Sequence, residues 1–317
     1  IGDYTRESIG RFKFVGRGQG VYSPIIYLPL PEKRKSGNLT VEYQPLPFLK
    51  FKAEIAGSDL NKNQFSTLGG STVEGYARNF EVVFNPMKFS LFDVNLNSFS
   101  LRYRERFVEE GFTSPDRFNS VEFDRDYNTG GISGRGAEVL REAGVSFYPI
   151  DGTGFDLNYG YLKNGNNFSS ERINGTFRSF EEKNRDISYT ADFVSSENTA
   201  LKSSWLRQKG AGTYSIGFLN IGGFFDSEIK KDRVIGNDSL LSGSYWFYET
   251  GPMLEIPLLY GINFTGKLTF REDEVSQNGI FEKESKTTGQ EFTLKYSGNR
   301  EFNSEVALAV REKRYNN

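Results

Sequence analysis

The feature that most constrains this chain is a two-residue alternation of apolar and polar side chains, sustained over long segments and repeated along almost the whole sequence. In 155–161, Phe155, Leu157, Tyr159 and Tyr161 alternate with Asp156, Asn158 and Gly160. In 187–193, Ile187, Tyr189, Ala191 and Phe193 alternate with Ser188, Thr190 and Asp192. In 262–270, Ile262, Phe264, Leu268 and Phe270 alternate with Asn263, Thr265, Lys267 and Thr269. The same pattern recurs at 291–296 and at 305–311. Near the start, Leu39, Val41 and Tyr43 lead through a turn into Leu49, Phe51, Ala53 and Ile55. Side chains on a strand point to opposite faces in turn, so this period belongs to β-strands with one apolar and one polar face.

Composition sets the limits of what those strands can build. Hydrophobic residues are 37% of the 317, yet 29 are Phe and 17 are Tyr. Mean hydropathy is -0.53. No run approaches the roughly 18 apolar residues of a membrane-spanning helix. A net charge of -2 gives no reason to expect a nucleic-acid partner. Histidine and cysteine are absent. That removes the Ser-His-Asp triad, the cysteine nucleophile and the Cys/His zinc site from consideration. The chain is expected to be non-enzymatic, with no catalytic residues, cofactor or metal.

Turn-forming residues divide the chain into hairpins. Short turns are expected near 45–47, at Asn85-Pro86, and near 151–154, 181–184, 210–212, 249–251 and 297–300. Longer polar connections are expected over roughly 59–71, 109–135, 164–170, 195–198, 226–239 and 272–288. The alternation of short and long connections yields about 14 strands of 10 to 16 residues from Asn38 onward. Segments 11–15 and 21–28 would add one or two more. Membrane-spanning strands need about 9 to 11 residues, whereas soluble strands average about 5 to 6. The expected fold is therefore all-β: a closed up-and-down antiparallel transmembrane β-barrel of about 14–16 strands, with 1–317 as one domain. Residues 109–135 are expected to form a long loop or partial plug. Aromatic girdles would account for Tyr43, Phe84, Phe147, Tyr148, Tyr161, Phe180 and the 245–248 cluster near strand ends.

Three segments depart from a simple reading. The stretch 87–107 is too long for one regular strand and its parity breaks twice, so it contains bulges or a turn at 93–97. The stretch 214–225 is apolar on both faces. Gly16-Arg17-Gly18-Gln19-Gly20 has a glycine pattern, but residues 21–26 read as extended chain rather than a phosphate-binding helix, so a turn is expected.

Strands that end in a Pro or Gly turn and then run into an Asn/Asp/Ser-rich loop resemble the large outer-membrane barrels of Gram-negative bacteria. The stretches 38–66 and 121–128 are similar to those of Bacteroidota-like lineages. The resemblance implies a bacterial outer-membrane location and a transport, secretion or scaffold role. Such barrels often close on a C-terminal aromatic; this chain ends Arg314-Tyr315-Asn316-Asn317 and begins at Ile1, and is expected to be either a mature chain or an excised part of a larger one.

Candidate lumen-lining residues come from the same alternation. Arg102, Arg104 and Arg106 form one row opposite Leu101 and Tyr103, expected to pair with acids on neighbouring strands. Glu138, Glu142, Asp156, Asn158, Asp192, Lys267 and Glu305 are expected on the same side. Asp59 to Asn63 resembles the start of a calcium loop, but Gln64 stands where the glycine is needed. The functional expectation is a pore, a transporter or secretion component, or a membrane scaffold. Its partners would be outer-membrane lipid and other membrane or periplasmic proteins. The alternative is a soluble or surface-exposed β-rich binding protein.

Overall fold

A computed structural model describes residues 2–23, 30–65, 72–91, 94–132, 136–182, 184–258, 261–297 and 303–316. The fold is all-β and antiparallel. Two short strands, β1 (Tyr4–Ser8) and β2 (Arg11–Phe14), form a separate hairpin. The rest is one sheet of 14 strands, each paired with its neighbours in sequence. Its first half is β3 (Lys33–Leu46), β4 (Leu49–Asn61), β5 (Thr72–Leu91), β6 (Val94–Val108), β7 (Glu138–Ile150), β8 (Thr153–Asn164) and β9 (Phe168–Glu181). Its second half is β10 (Arg185–Asn198), β11 (Leu201–Ile216), β12 (Leu219–Val234), β13 (Tyr245–Pro257), β14 (Ile262–Gln277), β15 (Ile280–Tyr296) and β16 (Ser304–Tyr315). The only α-helix among the described residues is the single turn α1 (Phe123–Asp126), followed by a 3-10 turn at Thr129–Gly131.

The sheet is not closed: among the described residues no ladder joins β3 to β16, and every residue of both edge strands is exposed. The two edges run antiparallel to each other. The segment 11–15 does not extend the large sheet, because Arg11–Phe14 pairs with Tyr4–Ser8. Of the expected strand 21–28, residues 24–29 lie outside the described residues.

Several expected turns are strand interior instead. Asn85-Pro86 sits at a break in the β5–β6 register, between Phe84 and Met87; a bulge accommodates the proline, which has no N–H for the ladder. Gly210 to Gly212 lies within β11, and Glu249 to Gly251 within β13. The reversal after β11 is at Gly217-Phe218, where Gly217 takes φ 63°, a conformation L side chains rarely adopt. That hairpin explains the two-faced apolar stretch 214–225. The 87–107 anomaly has two causes: register shifts that add a residue first to β5, between Phe84 and Met87, and then to β6, between Leu96 and Phe99, and a hairpin between Leu91 and Val94 whose residues 92–93 lie outside the described residues.

The long connections are also fewer than expected. Ser195 to Asn198 is strand, and β12 continues to Val234. The 272–288 stretch is two paired strands joined by Asn278-Gly279. Both take positive φ, 52° and 84°, as a two-residue hairpin turn of the primed type requires.

Candidate functional site

Directly paired residues on neighbouring strands share a face, so the registers assign every side chain to one of two sides. One face carries Leu39, Val41, Ile55, Leu101, Val145 and Leu157, and continues through Ile173, Ile187, Ile221, Leu268, Leu294 and Leu308. All are exposed. The other face is polar. Arg102, Arg104 and Arg106 lie there opposite Gly144, Glu142 and Leu140. Asp156 and Asn158 share that face, as do Asp192, Lys267, Glu138 and Glu305. The arginine row is a ladder of ion pairs: Arg102 to Glu81 at 2.7 Å, Arg104 to Glu142 at 3.5 Å and Arg106 to Glu138 at 2.6 Å. Lys267 stands 4.0 Å from the centre of the Phe224 ring. Glu305 is exposed on the edge strand β16.

The aromatic girdle expected from sequence divides in two, because adjacent residues on a strand cannot face the same way. Trp246 and Tyr248 share the apolar face with Ile229 and Ser227, whereas Tyr245 and Phe247 lie on the polar face with Lys230 and Glu228. Tyr148 and Phe180 are likewise on the polar side, paired with Ser98 and Asp186.

The segment 109–132 lies across the polar face as a strap. Glycines let it approach the sheet: a Cβ on Gly75 would stand 2.1 Å from the Phe112 nitrogen, and one on Gly111 2.1 Å from the Glu74 carbonyl oxygen. Ser58 Oγ accepts from the Thr113 N–H at 2.9 Å. The strap then contributes Phe123 and Tyr127 to a buried cluster with Leu140, Leu162 and Phe168 from β7, β8 and β9, flanked by Ile132. Arg106 stacks against the rings of Phe118 and Phe123, 4.8 and 5.5 Å from their centres.

Polar contacts complete the docking. The Tyr127 hydroxyl donates to Glu142 at 2.9 Å, and Asn128 donates to Ser196 at 2.8 Å. Asp126 meets Arg172 at 2.9 Å. Arg172 and Arg207 both reach Asp192, at 2.7 and 2.8 Å, so one carboxylate holds two guanidinium groups under the strap. Further along, Glu228 accepts from Trp205 at 2.8 Å and from Tyr245, and Arg125 of α1 lies 4.0 Å from it. Burial beside Glu142 pushes the Tyr127 phenol well above its ordinary range. Gly160 leaves room for that phenol; a Cβ there would stand 2.3 Å from its oxygen.

Sequence reasoning missed Arg172, Trp205, Arg207, Glu228 and Tyr245 as members of this site. Their parity places them with Asp192, a signal present in the alternation. Among the described residues, no group of three or more Asp and Glu side chains is arranged to hold a metal ion, the 59–63 segment included. The arrangement offers a wide charged surface, partly covered.

No protein-family model matches this chain, and no curated protein is similar enough to it to count as a relative. The functional reading rests on geometry.

Proposed function

We propose that this chain forms the wall of a bacterial outer-membrane β-barrel, non-enzymatic, with its apolar face in lipid and its polar face toward a lumen that the strap partly fills. One observation carries the reading: the layer that covers the sheet lies on its polar face. A soluble sheet buries its apolar face against a second layer. Here the apolar face is left bare on strand after strand, with Leu157 55% and Leu308 60% exposed, while Leu162 is fully buried on the opposite side. That inversion suits a wall whose outer solvent is hydrocarbon. The exposed edges of β3 and β16 fit the same reading only if they are covered, by each other or by further strands, because lipid leaves backbone groups unsatisfied.

In this reading the barrel serves as a pore, a transporter or secretion component, or a scaffold. The strap narrows the lumen over β4 to β12, from Ser58 and Gly75 to Glu228. Planar-bilayer conductance with and without residues 109–135 separates these roles. Steady channels in either form support a passage, and silence in both supports a scaffold.

The unpaired edges favour a second reading, an open β-rich binding sheet outside the membrane. Detergent dependence separates the two. The membrane reading requires that the purified chain be monodisperse only in detergent or lipid and migrate differently on a gel before and after heating. A stable monomer in detergent-free buffer would falsify it.

A further inference from the structure

The outward face is not uniform along the strands. Toward the short-turn ends it is uncharged except for the Glu181–Arg185 ion pair beside the β9–β10 turn; toward the long-connection ends it carries ions. Counting from the short turns, the first outward charge is Lys35 on β3, Arg141 on β7 and Glu312 on β16. These three do not lie on one pairing row. From Glu312, strand-by-strand pairing through Thr288, Phe270 and Thr250 arrives at Phe147 of β7, six residues to the turn side of Arg141. From Arg141 it runs through Glu105, Phe80 and Ala53 to Val41 of β3, six residues to the turn side of Lys35. The charged rim therefore drifts by about one residue per strand in register across the sheet.

The opposite rim drifts the same way. The Leu46–Leu49 pair at the turn end of β3 and β4 leads, by the same pairing, to Lys286 of β15. Strand β15 reaches its own turn end at Tyr296, ten residues further on. The two rims have similar overall stagger, and the band between them runs obliquely to the pairing rows.

We infer that this band is the hydrocarbon-facing slab of the molecule: Lys35, Arg141 and Glu312 lie level at one lipid headgroup region, the short turns lie at the other, and the strands cross at a tilt of about 35°. The inference rests on the membrane reading above and adds where the bilayer sits. A stagger of about one residue, roughly 3.3 Å, per strand spacing of about 4.8 Å gives that angle, and only at that angle do both rims become level. On β16 the band runs from Ser304 to Glu312. That is about 27 Å along the strand and about 22 Å of depth after tilt, close to the roughly 25 Å apolar band of outer-membrane barrels. A binding surface for a protein partner has no need of a charged rim and a rim of turns that lie level and parallel; a planar bilayer does.

The test places single spin labels in the full chain, reconstituted in phosphatidylcholine vesicles, by Lys35→Cys, Arg141→Cys, Glu312→Cys and Phe147→Cys, with Val41→Cys and Leu308→Cys in mid-band. Relative accessibility to oxygen and to a water-soluble nickel reagent gives each depth, and heat-modifiable migration certifies that each variant has folded. The inference expects the three rim labels at one shallow depth and Phe147 about 16 Å from that level, although Phe147 shares a pairing row with Glu312. Equal depths for Glu312 and Phe147, or for Arg141 and Val41, would mean upright strands and overturn the slab. If instead no label, including Val41 and Leu308, contacts lipid, the membrane reading itself fails.

Discussion

Leu157 and Leu162 sit five residues apart on the same strand and have opposite fates. Leu162, on the polar face, is 0% exposed beneath Phe123 and Tyr127 of the strap; Leu157, on the apolar face, is 55% exposed. In a water-soluble fold the apolar face would hold the buried leucines. Here burial is set by the strap, and the apolar face is left for another solvent. The comparison separates two kinds of apolar residue: those held by protein packing, and those whose environment the chain itself does not supply.

The largest predicted effect falls under the strap. Asp192→Ala leaves Arg172 and Arg207 without their shared carboxylate. Removing one partner of a buried charge cluster costs about 3–5 kcal/mol, read as a lowered midpoint in urea unfolding from lipid vesicles. Leu162→Ala opens a cavity beneath Tyr127 and costs about 2–5 kcal/mol in the same assay. Leu157→Ala removes no packed protein layer, so its loss should be clearly smaller than that of Leu162→Ala; equal losses would erase the distinction between the faces.

Leu157→Arg probes the other solvent. In mid-bilayer an outward arginine costs about 2–4 kcal/mol, whereas on a water-facing surface it is near neutral. A neutral result would place the apolar face in water. The smallest effect is expected at Tyr127→Phe, which removes one hydrogen bond to Glu142 for about 1 kcal/mol. Because burial raises this phenol above its ordinary pKa of 10.0, the neutral form belongs to the docked strap. Docking is fully supported below that pH and weakens as pH climbs above it. Trp205, beside Arg125 of α1, reports strap contact by fluorescence. The wild-type signal should change at alkaline pH, and Tyr127→Phe should reduce that change.

Much of this was readable from residues alone, for a definite reason. Alternation has a period of two in any strand, so Arg102, Glu138, Asp156, Asp192 and Glu305 could be assigned to one side without knowing which strands are neighbours. The count of about 14 strands came from the expected connections, and 14 form the sheet, although 195–198, 210–212 and 249–251 among those connections are strand interior. Connections were harder. Strands extend past the uncharged band, so polar ends such as Glu272 to Ser276 resemble loop, and Asn278-Gly279 was hidden inside a charged run. Glycines at 210, 212 and 251 pointed to turns, yet they lie in strand interiors; at Gly251 the neighbouring strand approaches so closely that a Cβ would stand 1.8 Å from the Leu268 carbonyl oxygen. The strap was legible as a long connection, but its seat depends on which strands become adjacent, and single-strand periodicity does not carry that.

The most direct test is an accessibility scan of residues 262–270 of β14, one spin label at a time, in the reconstituted protein. The account predicts a two-residue oscillation. Oxygen accessibility should peak at Phe264, Gly266, Leu268 and Phe270, and nickel accessibility should peak out of phase at Asn263, Thr265, Lys267 and Thr269. In-phase profiles, or high nickel accessibility at Leu268 and Phe270, would contradict a wall with one face in lipid.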